Sequence, residues 1–101
     1  MFVKLSADGR TSLEDSGNFK AFKLVVEKTT PDAARKTLAG LAEFIDDTHA
    51  WIFEAALRQY PEVAQDATWQ QNLGAMIEKA RPHGWIDEQR KAIKAHVEWQ
   101  S

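Results

Sequence analysis

The sequence predicts an α+β domain: a small, mainly antiparallel sheet in the order β-β-α-α-β-β, covered on one face by one long and one shorter helix. Three observations carry that prediction. Strand-like segments lie near both ends of the chain, at residues 2–5 and 19–27 and again at 93–99. Between them, apolar residues recur at three- and four-residue spacing, the period of a helix lying on a surface. Two strands, two helices and two further strands close most simply as a sheet with both helices packed on one face.

Phe2-Val3-Lys4-Leu5 is a short strand, ended by the turn-forming run Ala7-Asp8-Gly9-Arg10. Residues 11–18 are polar, with Leu13 as their one large apolar group, and are expected as a loop. Residues 19–27 make a stronger strand, because aromatic and β-branched side chains suit a pleated surface. Phe22, Leu24 and Val26 point one way and Phe19, Ala21 and Val25 the other, which marks a central strand with both faces partly apolar.

The long helix is expected over residues 30–60. Thr30 can cap it, Pro31 suits the first helical position, and Asp32 meets the positive end of the helix dipole. Pro61 disfavours helical backbone at Tyr60 and sets the stop. Leu38, Leu41, Ile45, Ile52 and Ala56 form an apolar stripe, extended by Phe44, Thr48, Trp51 and Ala55 on one flank and by Ala42, His49 and Phe53 on the other. Lys36, Glu43, Asp47, Glu54 and Arg58 share the wet side. The apolar sector covers roughly 200°, wide enough to touch two surfaces.

A helix of that span is about 43 Å long, whereas a compact chain of this length is roughly 33 Å across. The helix would overhang its own domain, and a homodimer covering the flank of Phe44, Trp51 and Ala55 is the expected outcome. Gly40, on the wet side, is the place where a break would fold the helix back and remove the overhang.

A helical turn begun by Pro61 leads into the second helix, residues 67–80, with Trp69, Leu73, Met76, Ile77 and Ala80 on one stripe. Lys79 and Arg81 sit at its negative end, and Pro82 with Gly84 terminates it. Residues 93–99 alternate without a fault, Ile93, Ala95, Val97 and Trp99 against Lys94, His96 and Glu98. A third helix competes for this stretch, because Ile86, Ile93 and Val97 also suit helical spacing, but it would leave Trp99 outside the stripe. Residues 84–86 then supply a short partner strand through a turn around Asp87-Glu88-Gln89-Arg90.

Composition narrows the function. The chain, residues 1–101, is expected as one domain, and 44% hydrophobic with 28% charged residues is the balance of a globular protein. The absence of cysteine removes disulfides, a thiolate nucleophile and thiolate-held metals. A net charge of −2 leaves no basic footprint for nucleic acid. Lys20, Lys23 and Lys28, interleaved with Phe19 and Phe22, make only a thin single-strand platform. No apolar run is long enough for a membrane span and no signal peptide is evident, so a cytoplasmic location without membrane partners is expected. The five glycines are isolated, so there is no phosphate-cradling loop, and no G-x-S-x-G elbow occurs.

The residues able to carry chemistry are few. Asp46 precedes His49 by three residues, a helical spacing at which a carboxylate can orient an imidazole as base or metal ligand. One such pair does not make a metal centre, which needs ligands converging from several helices, so no metal and no cofactor is expected. A half-buried structural histidine is the competing reading. The acidic group Glu43, Asp46, Asp47 and Glu54 is mostly a solvated helix face. Each histidine has a tryptophan nearby in sequence (Trp51, Trp85 and Trp99), but the spacings aim most of these pairs apart. The ligand-binding candidates are therefore His49, Asp46, Trp51 and Trp99. Two functions compete: a non-enzymatic self-associating module holding a small apolar ligand between helix and sheet, and a small enzyme using His49 with Asp46 in such a cleft. The deciding feature is whether His49 is walled in by Ile45, Ile52 and Phe53 or opens onto a cavity walled by Trp51 or Trp99.

Overall fold

Seven strands and four α-helices make up the described residues, 1–100, of the computed structural model. In chain order they are β1 (Phe2–Leu5), β2 (Thr11–Glu14), β3 (Lys23–Glu27), α1 (Pro31–Thr37), β4 (Ala42–Phe44), β5 (His49–Phe53), α2 (Glu54–Arg58), α3 (Pro61–Ala64), α4 (Ala67–Ala80), β6 (Ile86–Asp87) and β7 (Ala92–Gln100). The class is α+β, but the sheet is larger than the sequence predicts and mixed instead of mainly antiparallel. Its order is β2-β1-β3-β7-β5-β4, with β6 added beside β7. β3 lies between β1 and β7 and is parallel to both, and the remaining four pairings are antiparallel.

The expected helix over residues 30–60 does not form. Its start is the expected one: Thr30 accepts the Ala33 amide at 3.2 Å and Pro31 opens α1. The helix stops at Thr37, and Gly40 takes a left-handed φ of +89°, open to glycine at no steric cost, so that the chain turns back. Beyond this turn the chain forms the β4–β5 hairpin. Residues 42–53 satisfy both periods, since Ala50 and Ile52 are buried while His49, Trp51 and Phe53 alternate with them. Aromatic and β-branched residues favour the strand solution, and Asp46 competes with a helix by bonding its own neighbours' amides. Ile45, placed mid-stripe by the helical reading, is 44% exposed near the hairpin tip. The overhang argument for a homodimer loses its premise with the helix: the molecule measures 34 × 27 × 21 Å, and no helix outruns it.

Residues 11–14, expected in a loop, form edge strand β2 against β1. Their polarity belongs to the edge, where only Leu13 turns into the core. Residues 19–22, expected as the start of β3, precede it instead. α4 and β7 stand where their patterns put them, and β6 joins β7 through the turn after Asp87, whose carboxylate accepts the Gln89 and Arg90 amides.

All four helices pack on one face of the sheet. Ala34, Leu57, Val63, Trp69, Leu73 and Ile77 join Val3, Leu24, Val26, Ile52, Ile93 and Val97 in one buried cluster. Polar staples fix the helices to each other. Arg58 bonds Glu54 at 2.8 Å and the Gln70 side chain at 2.7 Å, and the Gln70 amide group reaches back to the carbonyls of Arg58 and Val63. The opposite face carries Phe2, Lys4, Lys23, His49, Trp51, Phe53, Lys94 and His96 with no helix over it.

Candidate functional site

β7 organises the site because its two edges are used differently. β5 pairs with one edge from Ala92 to His96. On the other edge β6 takes Ala92 and Ile93, and β3 begins only at His96. Lys94 and Ala95 lie in the notch between these two strands, where the Lys94 amide donates to the Trp85 carbonyl at 2.7 Å. Residues 19–22 lead into β3 on one side of the notch, and Trp85 leads into β6 on the other.

A cleft of about 390 Å³ opens there, within the size range of small-molecule sites. The pleat sorts its lining, because successive strand residues face opposite ways. On the helix side, Met76 and Ala80 of α4 meet Ile93 and Ala95 of β7. On the open side lie His49, Lys94 and His96, with Phe19, Lys20, Phe22 and Trp85 on the flanks. Four consecutive residues of β7 therefore supply both an apolar floor and a polar rim. Trp85 is 50% exposed, and its ring stacks on His83 at 4.5 Å.

His49 and His96 face each other across β5 and β7, their rings 5.5 Å apart and nearly perpendicular. His49 is on a strand rather than a helix, and its side chain is 39% exposed, so it is not sealed in by Ile45, Ile52 and Phe53. Its Nδ1 lies 2.8 Å from the Thr48 hydroxyl, which is itself 2.8 Å from Asp46 Oδ1. A carboxylate only accepts, so the one hydroxyl proton goes to Asp46 and the Thr48 oxygen accepts from His49 Nδ1–H. That leaves Nε2 of His49 as the free ring nitrogen. Bonds to Asp46, led by the Thr48 hydroxyl, hold its carboxyl below the usual carboxylate range. Asp46 itself sits 3.7 Å from Nδ1 in the exposed hairpin loop and orients His49 chiefly through Thr48.

Trp51 and Trp99 are elsewhere. Trp51 is opposite Lys94 on the open sheet face, outside the cleft lining. Trp99 stacks on Phe44 at 5.6 Å and donates to the Asp47 carbonyl. Their place in the cleft is taken by Trp85, with His96 beside His49. The outward position of His96 in the β7 alternation was its one sequence signal, and local spacing held none that placed Trp85 in a site. No group of three or more His, Cys, Asp or Glu able to hold a metal occurs among the described residues. No helix among them is long and apolar enough to cross a membrane. Compared with protein-family models, curated proteins and solved structures, the chain matches none of them.

Proposed function

We propose that this protein is a non-enzymatic binding module that holds a small, largely apolar molecule in the cleft between α4 and the sheet. The lining supports the reading: aromatic and aliphatic side chains on the floor and flanks, with a few convergent polar groups at the rim. Trp85 offers a flat aromatic surface, and Met76 can adjust its rotamers to an irregular guest. Protein-observed NMR with naphthalene-bearing fragments tests it. Resonances of Phe22, Met76 and Trp85 should move together, and Trp85→Ala should weaken binding by roughly threefold to tenfold. Shifts confined to residues remote from the cleft would reject the proposal.

A second reading is favoured by the Asp46–Thr48–His49 chain of hydrogen bonds, which resembles an oriented general base. A fragment turned over instead of retained, with turnover lost in His49→Gln, would favour an enzyme. We assign the proposed self-association to the open sheet face, where Phe2, Trp51 and Phe53 are half-buried and a second copy is the occupant. Sedimentation of the NMR sample should then give a dimer, and a clean 11.4 kDa monomer rejects that part.

A further inference from the structure

We infer that the cleft selects ligands with an apolar body and an anionic head, such as an aryl or alkyl carboxylate. The inference rests on the binding-module reading and adds the chemical class of the ligand. Its basis is the charge of the rim. The polar side chains lining the cleft are Lys20, Lys94, His49 and His96, two cations and two groups able to become cations, with no carboxylate among them. Several basic groups of the sheet are already matched: Lys4 with Glu27, Lys23 with Glu98 at 3.0 Å, and Arg90 with Glu43 and Asp87. Lys20 and Lys94 enter no ion pair among the described residues.

The two nearby carboxylates do not fill the role. Glu98 is bonded to Lys23, and Asp46 lies on the Nδ1 side of His49, behind Thr48. The free Nε2 of His49 remains to donate, once protonated, to an anionic oxygen. The cationic rim and the apolar floor of Ile93, Ala95 and Met76 line one cleft at the notch between β6 and β3, so one molecule can meet both. An alkyl or aryl group without a charge would fill the floor and leave the rim to water.

Paired probes of equal shape provide the test: 1-naphthaleneacetate and its neutral amide, 1-naphthaleneacetamide, titrated by calorimetry at pH 7 and low salt. The acetate should bind roughly threefold to thirtyfold more tightly, the sum of two partly exposed charge contacts. In the Lys20→Gln, Lys94→Gln double variant that ratio should fall below about twofold. Added sodium chloride should erode the acetate's advantage in the wild-type protein, a second readout that needs no variant. Equal binding of both probes overturns the anionic selection and leaves the binding module standing. Binding of neither overturns both.

Discussion

Three donors converge on one oxygen of Asp46: the Thr48 amide, the Thr48 hydroxyl and the His49 amide. Because its folded pKa is depressed, the carboxylate contributes stability above its ordinary value of about 3.9, and that contribution is lost as pH falls through the folded value. The readout must be local, since Asp87 is depressed as well, first of all by the Arg90 amide. Amide exchange at Thr48 and His49 should lose protection as the solution is taken below about pH 4, and Asp46→Asn, which still accepts those bonds, should remove that pH dependence. Wild-type protection that stays flat through the same range would contradict the assignment. The sequence singles out Asp46 and His49 as partners, and they are partners, though through a hairpin loop rather than along a helix. Trp85 and His96 were not legible as site residues for a physical reason. The cleft exists because β6 and β3 share one edge of β7, and local spacing encodes nothing about that.

At the scale of elements, the legible ones were those whose ends and faces agree. α4 has the Asp66 cap, bonded to the Trp69 amide at 3.0 Å, a stripe of Trp69, Leu73 and Ile77, and a left-handed Gly84 soon after its end. β7 has an unbroken alternation. Residues 42–53 fit two periods at once, and what decides between them is pairing with Ala92 to His96, a stretch far along the chain. The helices carry their own test in Gln70, whose amide group satisfies the carbonyls of Arg58 and Val63 while its oxygen receives Arg58. Gln70→Ala should cost about 1–3 kcal/mol in denaturant unfolding, because partly buried groups of Arg58 on α2 and Val63 on α3 lose their partner. The exposed neighbour Gln71 is the control, and Gln71→Ala should stay within about 0.5 kcal/mol. Equal small losses would show that the staple contributes nothing.

In the whole molecule, the fold class and the helices' side of the sheet were legible, whereas the mixed strand order was not, because parallel pairing of β3 with β7 joins Lys23 to His96. That one pairing also dictates how the molecule comes into being. β1, β2 and β3 on one side and the β4–β5 hairpin on the other have no direct strand contact, and β7 alone joins them. Loop-closure entropy must be met across the 73 residues that separate Lys23 from His96 before the two halves share a sheet, so refolding belongs on the slow, milliseconds-to-seconds scale of non-local topologies. A fragment of residues 1–91 should show no cooperative unfolding transition by circular dichroism, and a sigmoidal one would refute the role given to β7. On the ribosome the consequence is temporal. Until residues 92–100 have emerged, the edges of β3 and β5 that β7 will cover are unpaired templates, and the nascent chain is open to aggregation, or to rescue by a chaperone, for as long as β7 takes to arrive.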